Sequence, residues 1–377
     1  MRKKICFITA VPGTAKSFLS DHINALRKEY DVFYVSNEQE ASKVDVPNDG
    51  YFSADIHRGI SLINDLRSVH QLYRIFREER FDVVHSVSPK AGLLTAIAAW
   101  LAGIKHRVHI FTGQVWATRK GFMRWLLKTM DKVIARLDNH ILVDGKTQRA
   151  FLEKEGVLRK GKADVFGEGS ICGVNTHRFV PNLDLREAER QSIGIEDNAL
   201  VFLFMGRLNH DKGIGELYAA YDRLAAEYKD VYLLLVGTDE ENYISKLPQY
   251  SNINNSNFFY YGATPTPEKV LNAGDVFVLP TYREGFGTSV LEAACMGLPS
   301  ITSDAYGVLD ASVEGETGLR CKVGDVDSLY VCMKYFYQHR DMVKVMGDRS
   351  RERVLSDFAG ERLTEYWVDF YNSLLSN

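Results

Sequence analysis

Cysteine is scarce: five residues in 377 (Cys6, Cys172, Cys295, Cys321, Cys332), an odd number with no CxxC pair. That spacing offers no zinc ribbon and no disulfide framework, so reduced thiols in a cytosolic setting are expected. Long apolar runs are missing too. The longest, Ala91 to Ile104, falls short of the ~20 residues that cross a bilayer and reads as a helix buried on a sheet. The amino terminus, Met1 to Gly13, starts basic and turns apolar. Its apolar run breaks at Pro12-Gly13, so a first strand is expected there rather than a signal peptide. No segment repeats and none is of low complexity. Net charge is small, −3, but unevenly placed. Residues 1–178 carry 28 Lys and Arg against 19 Asp and Glu, and residues 179–377 carry 18 against 30. A basic first half suits an anionic surface or substrate, although drift between two domains would look the same.

What is present is the composition of a soluble globular protein, 45% apolar and 25% charged, in a chain long enough for two domains. Strand-like runs at 4–10, 31–36, 82–87, 107–111 and 140–144 alternate with helix-length segments at 17–29, 60–79, 90–103, 118–137 and 146–155. The pattern lapses near 167–179. It resumes with strands at 199–205, 231–237, 258–262, 275–280 and 298–303. Continuous apolar strands separated by helices predict parallel sheets covered on both faces. Two doubly wound α/β domains follow, with a hinge near 173–182. Ligands of such sheets bind beyond the carboxyl ends of the strands, so a cleft between the domains is expected to be the functional one.

The most informative stretch is Asp275 to Pro299. A strand, Val276 to Leu279, is closed by Pro280. A turn follows, Glu284-Gly285-Phe286-Gly287, and then a helix from Thr288 to Met296, stopped by Gly297 and Pro299. Thr288 is the expected N-cap. The amides and positive dipole end of that helix suit an anion. Glu284 and Glu292 make sense beside phosphate only if they read sugar hydroxyls, which points to a nucleotide sugar. In Met205-Gly206-Arg207-Leu208 and Asp211-Lys212-Gly213, an Arg fork and a Lys point charge are placed to converge on a diphosphate, or else form an ordinary charged surface loop.

EGFGTSVLEA resembles the signature of the retaining glycosyltransferases of family 4, and GRL…DKG resembles that family's diphosphate-binding pair. The resemblance implies a GT-B fold of two Rossmann-like domains. The first spans 1–178, with a last helix that crosses back onto it (356–377), and the second spans 179–355. It implies catalysis by Arg207, Lys212 and Glu284. It places Glu292, Gly285, Phe286, Gly287, Thr288, Ser289, Val290 and Gly262 around the donor. Thr112 stands where many members carry a sugar-contacting histidine; His109 and His85 lie nearby in sequence. Gly13, Thr14 and Lys16 fall on the acceptor side. No metal and no cofactor are expected, since the two cations fill the role of Mg²⁺ and Asp325-Val326-Asp327 reads as helix capping.

The segments Phe111 to Trp116 and Gly169 to Asn175 resemble a subgroup acting on lipid-carrier-linked sugars in surface polysaccharide assembly. A UDP-sugar donor, a polyprenyl-diphosphate-linked acceptor and peripheral residence on the inner leaflet are the expectations that follow, with no nucleic acid partner. A nucleotide-sugar epimerase of the same fold and a non-catalytic nucleotide-sugar-binding or scaffolding protein are the alternatives.

One feature stands without the family. From Thr118 to Leu137, Lys120, Arg124, Lys128, Lys132 and Arg136 recur every four residues, on an arc of about 160°. Phe122, Met123, Leu126, Leu127, Met130, Val133, Ile134 and Leu137 fill the other side. The arc, with Trp125 inside it, is expected to face either water or anionic lipid headgroups.

Overall fold

A computed structural model describes residues 2–57, 59, 61–250 and 257–376. The chain divides into two compact units, Met1–Cys172 with Gly360–Asn377, and Gly173–Ala359. The divisions expected from the sequence are 178/179 and 355/356.

The first unit holds seven parallel strands: β1 (Lys4–Ile8), β2 (Asp31–Ser36), β3 (Gly50–Ser53), β4 (Val83–Val87), β5 (His106–Phe111), β6 (His140–Val143) and β7 (Ala163–Asp164). Their order is β3-β2-β1-β4-β5-β6-β7. The pleat of β1 shows why such strands must be apolar throughout. Ile5 and Phe7 enter one core, with Ala15, Leu19 and Trp367, while Cys6 and Ile8 enter another, with Leu72, Phe76 and Leu94. The second unit holds β8 (Leu200–Met205), β9 (Val231–Val236), β10 (Phe258–Gly262), β11 (Val276–Leu279), β12 (Ser300–Ser303) and β13 (Gly318–Cys321), in the order β10-β9-β8-β11-β12-β13, again parallel. Two doubly wound α/β sheets are therefore present. Asp325 caps the helix Val326–Gln338, accepting from the Ser328 amide at 2.9 Å.

Three expectations are corrected. The helix expected at 17–29 is two short helices, Pro12–Phe18 and Ser20–Leu26, broken at Leu19. Pro12 suits the first helical position, so Gly13, Thr14 and Lys16 lie on a helix rather than in a loop. The helix expected to start at Ile60, a residue outside those described, runs from Leu62 to Glu79.

The third correction concerns the basic arc. In the helix Gly121–Leu137 the described residues buried are Asp131 and Ile134, while Phe122, Met123 and Trp125 are exposed. Arg124 and Lys128 turn inward instead. Both pair with Glu155, at 2.7 and 2.6 Å, and both lie over the buried Trp116 ring. A shared carboxylate over an aromatic face holds two cations that the helical repeat assigned to solvent. Lys120 precedes the helix and is exposed, as is Lys132.

The helix Gly360–Leu375 belongs to the first unit. Its Trp367 is fully buried and donates its indole N–H to the Ile171 carbonyl at 2.9 Å. Phe7, His85 and Trp367 form a triangle of rings, with centroids 5.2, 5.1 and 6.1 Å apart, and His22 stacks on Trp367 at 5.0 Å. His85 Nδ1 lies 2.7 Å from the Tyr371 hydroxyl, so His85 is a packed strand residue. Burial lowers the pKa of His22 to about 4 and of His109 to about 3, and holds His85 well below its ordinary value.

An unfolded chain protonates these rings near pH 6.5, whereas the folded chain resists until about pH 4 or lower. Their contribution to stability is therefore intact above pH ~6.5 and is lost as the pH falls. The melting temperature is expected to drop between pH ~7 and ~5. The slope should be shallower in His85→Phe, whatever that variant's absolute melting point; equal slopes would contradict the assignment.

Candidate active site

Both sheets reverse their strand order between a central pair, β1/β4 in the first unit and β8/β11 in the second. Sheets of this kind bind ligands at that reversal, beyond the carboxyl ends. In the second unit the two loops that leave it are 206–213 after β8 and 280–287 after β11. Asp211 ties them together. Its carbonyl accepts from the Tyr282 amide at 2.8 Å and lies 2.8 Å from Thr281 Oγ1. Its carboxylate takes the Arg283 guanidinium in two bonds, at 2.8 and 2.7 Å. His210 stacks on Tyr282, 4.8 Å between ring centroids, and the Tyr282 hydroxyl donates to Glu216 at 2.6 Å.

Two glycines allow this closeness. Gly213 has φ +69°, and a Cβ there would overlap the Pro280 carbonyl; at Gly307, φ +85°, a Cβ would meet the Glu284 and Gly285 carbonyls. The outcome is an ion pair between Lys212 and Glu284, one from each loop, with side chains only 17 and 16% exposed.

Of the residues singled out in the sequence, Lys212 and Glu284 are brought together and Arg207 is not brought to them. Its exposed guanidinium pairs with Glu240 at 3.0 Å, and Asn209 donates to the same carboxylate. The helix after the turn is Thr288–Cys295, and its N-cap is Gly287 at φ +91° with no side-chain cap, so Thr288 does not cap it. The amides of that turn are not all available either, because Val290 N–H donates to the Gly287 carbonyl at 2.8 Å. Phe286 and Val290 are core residues. Phe286 packs on Phe358 and both side chains are buried, which leaves only their backbone to meet a ligand. Gly285, Thr288 and Ser289 are partly exposed. Glu292 is half-buried, and burial pushes its carboxyl up to about 7, with Arg178 opposing and Glu268 adding to the shift. Gly262 ends β10 and its carbonyl accepts from the Gly237 amide at 2.8 Å.

In the first unit Thr112 follows β5, and its carbonyl accepts from the side chains of Gln114 (2.5 Å) and Gln148 (2.6 Å). Lys16 pairs with Asp45 on the surface. Sequence reasoning missed Asp211, Tyr282 and Arg283. The signal was available, since Asp211 opens DKG and Arg283 precedes Glu284.

A glycosyl transferases group 1 family model matches residues 186–353, and a glycosyl transferase 4-like domain model matches residues 19–169. Between them they take in most of both units. The chain is thus a glycosyltransferase that joins a glycosyl transferase 4-like domain to a group 1 domain. It is 28% identical over 350 residues to the capsular polysaccharide biosynthesis glycosyltransferase CapM of Staphylococcus aureus, spanning 93% of this chain and 91% of that one. It is 27% identical over 339 residues to the UDP-Gal:alpha-D-GlcNAc-diphosphoundecaprenol alpha-1,3-galactosyltransferase of Escherichia coli, spanning 87 and 84%. Its fold matches that of a sucrose-phosphate synthase from Thermosynechococcus elongatus with a TM-score of 0.82 over 100% of both chains, at 19% identity. Two parallel-sheet units of this kind make the GT-B architecture.

Among the described residues of this glycosyltransferase, no three His, Cys, Asp or Glu side chains cluster as metal ligands. What positions its charged pair is the Asp211 bridge. Asp211→Ala keeps the backbone bonds to Thr281 and Tyr282 but releases Arg283, the residue before Glu284, and displacements of about 1 Å at a catalytic group cost up to ~10²-fold in rate. The glycosyltransferase is expected to lose at least ~10-fold in kcat with a smaller change in donor KM; unchanged kcat would show that the carboxylate arm of the bridge positions nothing.

Proposed function

We propose that the protein is a retaining, metal-independent glycosyltransferase that moves a sugar from a UDP-linked donor to a polyprenyl-diphosphate-linked saccharide in surface polysaccharide assembly. The observation that carries this reading is the Lys212–Glu284 pair at the strand-order reversal, flanked by a helix start with no side-chain cap. In the absence of ligand, cation and acid satisfy each other. With donor present, Lys212 turns to the diphosphate and Glu284 to the sugar hydroxyls. The relatives supply the substrate class: CapM takes part in capsular polysaccharide synthesis, and the name of the E. coli enzyme gives a UDP-sugar donor, a diphosphoundecaprenol-linked acceptor and an α-1,3 product.

The bond from the anomeric carbon to the phosphate oxygen breaks, and its electron pair goes to the diphosphate. Lys212, Arg207 (released from Glu240) and the amides of Thr288 and Ser289 stabilise that growing charge. The acceptor hydroxyl forms the new bond from the face the diphosphate leaves, and its proton passes to the departing phosphate oxygen. Configuration is retained without a dedicated protein base. Glu292 holds the ribose hydroxyls, and the backbone at Gly262, Gly285, Phe286, Gly287 and Val290 lines the donor. In the first unit, Gly13, Thr14 and Lys16 serve the acceptor and Thr112 takes the place of the family's histidine. The lipid carrier implies residence on the inner leaflet. No helix among the described residues is long and apolar enough to cross a membrane, so the contact proposed is peripheral.

The test is to incubate the protein with UDP-, GDP- and dTDP-sugars and then add a lipid-diphosphate-linked saccharide. A UDP-sugar at a hundred times its Kd should stabilise the fold by about 2.7 kcal/mol, and an α-linked donor should give an α-linked product. An inverted product would refute retention, and stabilisation by no nucleotide sugar would refute the whole reading.

Glu292 adds a pH test. Its carboxylate accepts ribose hydroxyls better when ionised, and its carboxyl titrates near pH 7. UDP affinity should therefore rise as pH increases through ~7, and Glu292→Gln should flatten that dependence.

A further inference from the structure

The helices Leu62–Glu79, Pro89–Ala102 and Gly121–Leu137 lie side by side in the first unit, the middle one packed against both others. Each leads into the next parallel strand, β4, β5 and β6 in turn, so all three begin at the carboxyl edge of the sheet. The same edge delivers Thr112 from β5 and the helix of Gly13 from β1. The two outer helices start with exposed apolar side chains. Leu62, Ile63 and Leu66 are 79, 77 and 71% exposed, and Phe122, Trp125 and Met123 are 68, 61 and 45% exposed. Phe122 and Trp125 stack on each other at 5.7 Å between centroids. Single exposed hydrophobics need no explanation. Six large ones on two helix starts, about 20 Å apart at ordinary helix spacing, do.

We propose that this edge docks on an anionic bilayer. The two apolar helix starts enter the headgroup layer, and Arg67, Arg119 and Lys120 face the lipid phosphates.

The charges select that occupant. From Gly113 to Met130 the chain has no acidic residue. Arg119 and Lys120 are exposed just before the second patch, and Arg67 is exposed beside Leu66. The acid in the first turn of the first patch, Asp65, is held by Lys90 at 2.5 Å. Two helix starts that are basic, with their one acid paired, suit anionic headgroups, and Trp and Phe suit the bilayer interface; the next acid along the edge, Asp55, is held by Gln39 and Gln71. Such a surface does not suit a second copy of this chain. A twofold interface sets a patch against itself and would bring the cations Arg67, Arg119 and Lys120 of one copy against the same basic set of the other. The inference rests on the lipid-linked acceptor proposed above and sharpens it: the edge of the first unit that bears the acceptor-side residues is the one that meets the membrane. It also confines the contact to the first member of the basic repeat, Lys120. Arg124 and Lys128 are spent on Glu155, and Lys132 lies about 16 Å down the helix from its start.

The test is sedimentation with vesicles containing phosphatidylglycerol and with vesicles of phosphatidylcholine alone, with neither donor nor acceptor present. The wild type should bind the anionic vesicles in preference. Ile63→Glu/Trp125→Glu, at two exposed positions, should keep the wild-type melting temperature and lose at least ~10-fold in that binding. Lys132→Glu should stay within about twofold. Sugar transfer to a water-soluble acceptor should be unchanged in the double variant, while transfer to a vesicle-embedded one falls.

Vesicle binding unaltered in the double variant overturns the proposal. So does a dimer that the double variant dissociates, which would assign the patch to a second copy. Equal loss on soluble and embedded acceptors overturns it as well, because the patch would then belong to the acceptor site. If the wild type transfers no sugar at all but vesicle binding follows the expected pattern, the docking surface stands and the assigned reaction falls.

Discussion

The second unit is organised around a charge pair that it holds between two loops. Lys212 and Glu284 come from different strand exits, and bringing two charges out of water costs several kcal/mol per ion before their attraction offsets it. A hydrophobic pair of similar volume would stabilise the fold as well or better. The chain nevertheless surrounds this pair with further structure: Asp211 bridging to Arg283, Tyr282 fixed by Glu216 and His210, and two glycines where a side chain would collide with backbone. Such support around an interaction of small net stability fits a site whose charges are kept ready for a ligand.

Arg207 shows the complementary behaviour. It is more than half exposed and paired with Glu240. An exposed pair is weak, so the guanidinium is released at little cost. One cation sits in a sheltered pair and the other in an exposed one, and the reaction proposed above draws on both.

Much of this was legible in the sequence, because strands buried on both faces must be apolar throughout. Every strand expected from an apolar run is present within one or two residues at each end. The strands that escaped are β3, β7 and β13: Gly-Tyr-Phe-Ser and Gly-Leu-Arg-Cys lack the apolar run of an equally short strand such as β11, and β7 has only two residues. The site was legible as a motif, EGFGTSVLEA, but not as geometry. Phe286 and Val290 sit inside the motif yet serve the core, Phe286 against Phe358. Gly287 took the cap that Thr288 was expected to supply, since the chain enters the helix at positive φ. The basic helix misled for a related reason. Periodicity reports the faces of an isolated helix, whereas Glu155 and Trp116 lie outside its window and pull Arg124 and Lys128 inward. The bridge through Asp211 joins residues some seventy positions apart, and no local pattern encodes it.

The most direct test of the account is a charge swap, Lys212→Glu/Glu284→Lys, compared with both single variants for melting temperature and UDP binding. The swap preserves the attraction and reverses which loop presents the cation. The account predicts that the double variant melts closer to wild type than either single variant does, yet binds no UDP, because a carboxylate now faces the diphosphate. A swapped protein that binds UDP as tightly as wild type would show that the pair only holds the loops together, and the account would be wrong.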